Sequence, residues 1–190
     1  MLNNIIDDSL IGESFSKEII DTEVEFLSVK RSTFDSCFFS KDFIKCEFNN
    51  CVFNNCDFSN INLDNMSIIK CKFNNCRLIG LNIANSTLSD VVFDGCNMSL
   101  GRSFNLKMKR VKYSCSNLNN YSFYENSLLD VVFEGNSMID VEIIKTFLSG
   151  IDLSSNKLVN VSSSIECLRG CDMSVEQALD YVSFLGINFK

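Results

Sequence analysis

An apolar residue returns at every fifth position through most of this chain, and few folds can satisfy that period. Stepping by five from Phe43 gives Phe48, Phe53, Phe58, Leu63, Ile68, Phe73 and so on to Met173. Of these 27 positions 25 are apolar, where the overall apolar content of 46% would give about 12. Only Ser103 and Ser163 interrupt the series. A helix turns about 100° per residue and would scatter such positions around its whole surface, while a straight strand would alternate them between two faces. The period is met if the chain turns a corner every five residues. Four corners close a square coil of about 20 residues, and successive coils stack at the strand spacing of about 4.8 Å.

Two further registers agree with this coil. Two residues before the central position stand small or medium groups such as Cys46, Cys51, Cys56, Val91, Val111, Val141 and Val161. Two residues after it stand Asn or Gly (Asn50, Asn55, Asn75, Gly80, Gly95), which accept the positive φ of a tight corner. Positions 20 apart should lie above one another. Cys51, Cys71, Val91, Val111, Val131, Ile151 and Cys171 then form one inner column, and Cys56, Cys76, Cys96, Ser116, Asn136 and Asn156 another. Upstream, Ile19, Val24, Val29, Phe34 and Phe39 keep the step, with Thr22, Leu27, Ser32 and Cys37 two residues earlier. One residue is missing between Phe39 and Phe43, the one slip in the frame, which predicts a four-residue side or an altered corner there. The count of repeats predicts about eight coils and a rod roughly 38 Å long.

Cys-Xaa-Phe-Asn-Asn occurs at Cys46, Cys51 and Cys71, with Cys-Asp-Phe-Ser-Asn at Cys56. These runs, in frame over residues 17–174, resemble the pentapeptide repeat family. The resemblance implies an all-β solenoid, a right-handed quadrilateral β-helix with a C-terminal α-helix cap. The chain divides into an acidic amino-terminal segment (1–16), the β-helix (17–174) and a C-terminal helix and tail (175–190).

Composition narrows function by exclusion. The chain has no His to act as a general base, and no nucleophile elbow, phosphate loop or helical carboxylate pair, so catalytic, cofactor-binding and metal-binding residues are expected to be none. The ten Cys fall at five-residue steps, not at the Cys-Xaa-Xaa-Cys spacing of zinc sites. They read as small buried hydrophobes, with a stacked Cys56, Cys76 and Cys96 as the one soft-metal alternative. Cys37, Cys115 and Cys167 read as lying outside the inner register and as more reactive. No secretory signal or membrane-length apolar run is present, which points to a cytoplasmic protein whose cysteines are thiols.

Near the carboxyl end the period changes. Ser174 and Gln177 form a capping box, Val175, Ala178, Leu179, Val182 and Leu185 recur at helical spacing, and Gly186 stops the run. A helix of about 11 residues is expected there, covering the open edge of the last coil. This end resembles that of Qnr- and MfpA-type topoisomerase-protecting members of the family, which implies a homodimer through those five apolar residues. The same resemblance, to the loop-less type, implies a DNA mimic that binds DNA gyrase or topoisomerase IV and protects it from quinolones or toxins. No direct contact with nucleic acid or membrane is expected.

Mimicry needs acid on the rod itself. The net charge is −7, but residues 1 to 25 hold seven acids against one base, so the remainder is nearly neutral. The acidic face is therefore local: Asp90, Asp94, Asp130, Glu134 and Asp152, interspersed with Lys72, Arg110 and Lys112. A reading from another class is a structural or adaptor protein with an unrelated partner. Phe104, Tyr124 and Ile144, at outward positions 20 apart, form an apolar column that suits it.

Overall fold

The computed structural model describes residues 9–21, 23–184 and 186–187, so Thr22 and Leu185 lie outside it. The chain winds into a quadrilateral parallel β-helix of about eight coils. Its first face stacks seven strands, from Ser9–Ile11 and Ser28–Lys30 up to Lys107–Lys109 and Ser127–Leu129. The second also has seven, from Ser14–Ser16 up to Val132–Glu134, and the fourth has eight, ending in Glu142–Ile144 and Ser162–Ser163. The third face is built of short pieces and single bridges, Asp57 to Arg77 to Asn97 to Asn117 to Ser137. Every pairing is parallel and joins residues 19 or 20 apart, as in Phe53 with Phe73.

Apolar side chains make this geometry favourable because each central residue points into the coil and meets its counterparts above and below. Phe15, Phe34, Phe53, Phe73, Phe93, Tyr113 and Phe133 form a continuous stack with centroid spacings of 4.7 to 5.1 Å. Such offset pairing adds to the burial of large rings. The residues two positions earlier are equally buried and make a further contact. Cys71, Cys76 and Cys96 donate S–H to the carbonyls of Phe48, Phe53 and Phe73 one coil below. Ser116, Asn136 and Asn156 donate to those of Phe93, Tyr113 and Phe133. Cys, Ser and Asn therefore follow one another in the column from Cys56 to Asn156, whereas in the column from Cys51 to Cys171 valine replaces Cys and packs without donating.

Ser103 breaks the apolar run for a packing reason. The buried ring of Tyr121 needs space, and an added Cβ on Gly101 would lie 2.8 Å from its Cε2. Glycine at 101 and a small residue at 103 supply that space, and the Ser103 Oγ accepts from Asn126 Nδ2 at 2.9 Å.

Two expectations need correction. Among the described residues the coil is already paired from Ser9, inside the segment set apart as 1–16, with Leu10 and Phe15 in the frame. The inward residue at the next side is Ile20, 3% exposed, and not Ile19, which is 67% exposed. From Ile20 to Val24 is then a four-residue step, directly beneath the step from Phe39 to Phe43, since Ile20 pairs with Phe39 and Val24 with Phe43. There are two short sides, not one. They stack because a short side under a long one would break the ladder.

Corners take positive φ wherever they fall, at Asn and Gly but also at Lys70, Asp90, Leu100, Arg110 and Cys115. At the carboxyl end a one-turn helix α1 (Ile165–Leu168) is followed by α2 (Val175–Phe184), ten residues long. The capping box of α2 is reciprocal: Ser174 N donates to Gln177 Oε1 (2.8 Å), and Gln177 N donates to Ser174 Oγ (3.2 Å).

Candidate partner-binding surfaces

The acidic residues do gather on one side of the rod. Asp94, Glu134 and Asp152 point outward from the second face, and Asp90 and Asp130 occupy the corner between the first and second faces. Bases stack among them. Arg110 sits one coil above Asp90 and grips it through Nε (2.5 Å) and Nη2 (2.7 Å), which holds the Asp90 carboxyl down at about 2. Lys112 Nζ lies 2.5 Å from Glu134 Oε2, and that contact raises the lysine. Asp94 accepts from Ser114 Oγ at 2.6 Å. Asp152 accepts from the Ser154 N–H at 2.8 Å, and the Ser154 side chain and then that N–H lower its carboxyl. Among the described residues, Asp94, Asp130 and Asp152 are the members of the set without a salt bridge.

Helix α2 turns a different side to the rod than its apolar spacing suggests. Val175 is 78% exposed and Leu179 43%, Ala178 is exposed, and Val182 is half-buried. What docks is polar. The buried Gln177 donates through Nε2 to the carbonyls of Asn156 (2.6 Å), Leu153 (3.1 Å) and Ser154 (3.4 Å), and the Tyr181 hydroxyl donates to Ser163 O (3.1 Å). Gln177 continues the inner column of Ser116, Asn136 and Asn156 by one more step. That step, 21 residues beyond Asn156, is the signal by which sequence reading could have found it.

Phe104 and Tyr124 do stack, with centroids 5.5 Å apart, but Arg102 lies over both rings (5.3 and 5.4 Å) and Lys145 over Tyr124 (5.8 Å). The upper end of the column is more open: Ile144 is 39% exposed and the neighbouring Phe147 62%. Leu129, Val132 and Ile165 are also large exposed apolar groups in this last third of the rod, and sequence reading passed over them because each falls at an ordinary outward or irregular position.

Cys37 and Cys167 are buried, contrary to the expectation that they are accessible; Cys37 continues the inner column below Cys56, and Cys167 faces inward from α1. Contact with neighbouring thiols and then burial push Cys71 and Cys76 far above the usual thiol range, so they stay protonated. Among the described residues no three His, Cys, Asp or Glu side chains are grouped to hold a metal ion. Cys115 is the exposed cysteine and Cys171 is half-buried. Titration of the native protein with a chromogenic disulfide reagent should therefore show one prompt thiol, abolished by Cys115→Ser, with at most one slower one. Release of several thiols before unfolding would contradict the packing described.

The combination of a five-residue period, four parallel faces and inward stacks decides the architecture. The chain folds as a pentapeptide-repeat β-helix. No protein family and no curated protein matches it by sequence. Among solved structures, full-length QnrB1, a plasmid-mediated fluoroquinolone resistance protein, is similar at 18% identity over 94% of this chain and 100% of its own, with a TM-score of 0.38. A trypsin-treated form of QnrB1 gives 18% identity over 95% and 99%, with a TM-score of 0.45. HetL, a pentapeptide repeat protein involved in heterocyst differentiation regulation in the cyanobacterium Nostoc, gives 12% over 86% of each chain and a TM-score of 0.26. Likenesses this loose add nothing to the assignment, which rests on the pentapeptide coil itself. Among the described residues no helix is long and apolar enough to cross a membrane.

Proposed function

We propose that this pentapeptide rod is a non-catalytic binding protein whose outer surface engages another protein. The observation that carries this reading is the contrast between a filled interior and the large apolar side chains left on the outside of the last third, where Leu129, Phe147, Ile165 and Leu179 are all more than two-fifths exposed. Apolar surface left outside a filled rod suits contact with a partner.

The finer reading is a type II topoisomerase as that partner, engaged by an acidic face that stands in for DNA. Asp94, Asp130 and Asp152 support it, because they keep their charge uncompensated by a salt bridge. Asp90 and Glu134 support it less, being held by Arg110 and Lys112. Supercoiling by gyrase from the same organism, and quinolone-stabilised cleavage, should be measured over a concentration series of the protein. Inhibition or protection is expected, and should be lost when Asp94, Asp130 and Asp152 together become Asn but retained in Asp90→Asn with Glu134→Gln. No effect of the unaltered protein on either reaction sinks the topoisomerase reading. The adaptor reading then stands, favoured by Ile144 and Phe147 at the open end of the aromatic column.

The same reading includes a homodimer through α2. Val175, Ala178 and Leu179 support it, since they face away from the coil that the helix caps; Leu185, the fifth residue of that stripe, lies outside the described residues. Light scattering should find a dimer, and Leu179→Asp a monomer of unchanged circular dichroism. A dimer that survives Leu179→Asp would place the interface elsewhere.

A further inference from the structure

The corner between the first and second faces sets one residue of positive φ above another: Arg31, Asn50, Lys70, Asp90, Arg110 and Asp130 stand in successive coils. From Lys70 upward the signs alternate, and each charge has its opposite one coil away. Arg110 holds the Asp90 carboxyl down through two nitrogens, with Lys70 adding to the effect, and Asp130 acts on Arg110 from the other side. Below Lys70 the alternation fails. Where an acid would continue it stands the neutral amide Asn50, and beneath that comes a second base, Arg31. Two like charges about 10 Å apart thus face each other across an uncharged step.

Arg31, Asn50 and Lys70, with Lys30 and Asn49 beside them, line a slot of about 360 Å³. Lys30 lies 3.6 Å from Glu47, which is also held by Ser28 and Asn49. Three bases against that one acid leave the slot two positive charges. Among the described residues Arg31 and Lys70 have no salt bridge. The backbone has nothing left for a ligand here, because the N–H groups of Arg31, Asn50 and Lys70 donate to Asn49, Ile69 and Ser89 of the coil above. Side chains alone are free to bind.

We propose that this slot binds the phosphate monoester of a small molecule, whose dianion takes the place of the missing acid in the corner ladder. Two uncompensated positive charges match the two negative charges of such a group. A guanidinium takes two of its oxygens through a planar fork and an ammonium takes a third, while the Asn50 amide donates between them. A long polyanion does not fit the same site. Asp90 stands one coil above Lys70 and Glu47 flanks the slot, so a nucleic-acid strand laid along the rod meets negative charge within about one coil. The site is independent of the topoisomerase reading, which concerns the acidic end of the rod.

The test follows the full chain by NMR as methyl phosphate is added at about pH 7.5, where it is a dianion, at constant low ionic strength. The side-chain N–H signals of Arg31 and Asn50 should shift together and saturate with a Kd of about 1 mM or below. Arg31→Gln and Lys70→Gln should each raise that Kd at least about fivefold, whereas Lys109→Gln, on the same face but outside the slot, should leave it unchanged. Asn50→Asp writes the missing acid into the ladder, so binding should be lost while the thermal midpoint holds or rises. Dimethyl phosphate, with one charge, should bind at least about tenfold more weakly, and a neutral peptide bearing one phosphoserine no more tightly than methyl phosphate. The proposal is overturned if the signals do not saturate, if Asn50→Asp binds as well as the unaltered chain, or if dimethyl phosphate equals methyl phosphate. It is also overturned if Lys109→Gln weakens binding as much as Lys70→Gln does. A phosphoserine peptide that binds more than about tenfold tighter than methyl phosphate overturns the small molecule as occupant and assigns the slot to a phosphoprotein.

Discussion

Phe73→Ala should lower the stability of the protein by about 3–5 kcal/mol, the range for emptying a large aromatic site in a packed core. Phe73 is 2% exposed and lies between Phe53 (4.7 Å) and Phe93 (5.0 Å), with the edge of Phe58 at 5.9 Å. Its loss leaves two rings without their stacking partner. A coil has no neighbours except those above and below, so nothing from elsewhere in the fold can relax into the void. The control is Leu129→Ala, at an outward position 53% exposed, where a change within about 0.5 kcal/mol is expected. Denaturant titration of both variants decides the matter. If Phe73→Ala shifts the midpoint no further than Leu129→Ala does, the aromatic stack is not the spine of the rod.

The rod was legible in the sequence because one geometric rule, a corner every five residues, is written into the central, inner and corner registers together. Where the rule has local slack, reading by pattern fails. Ile19 and Ile20 are adjacent and equally apolar, so spacing alone places either one inside; the choice of Ile19 hid both the second short side and the pairing of Ser9–Ile11 and Ser14–Ser16 in the coil. The corner charges were visible as residues but not as pairs. Asp90 with Arg110 and Glu125 with Lys145 are each 20 apart, and once coils are stacked at that spacing the salt bridges follow. An acidic face read from composition is thus partly a ladder of neutralised pairs. Register in sequence reports which side chains point inward. It does not report what each side chain bonds.

The carboxyl-terminal helix shows the same limit from the other direction, and its test should have a large effect. Gln177 reads in sequence as half of a capping box, a role worth about 1 kcal/mol. In the fold its amide nitrogen also meets three carbonyls of the last regular coil, of which Leu153 O also accepts from Asn156 N and Nδ2 while Asn156 O, the nearest at 2.6 Å, is bonded by Gln177. Gln177→Ala removes the reciprocal cap and strands the Asn156 carbonyl under the helix, where a buried unsatisfied group costs about 1–3 kcal/mol. A loss of about 2–4 kcal/mol is expected, concentrated in α2. The helical circular dichroism signal should melt first, while the strand signal keeps its midpoint, because the coils below make their own ladder. Leu179→Ala, on the outward stripe of the same helix, should leave the melting of a monomeric sample nearly unchanged. The reverse order of sensitivity, with Leu179→Ala undocking the helix and Gln177→Ala tolerated, would mean that the cap is held by its apolar stripe and that the polar column stops at Asn156.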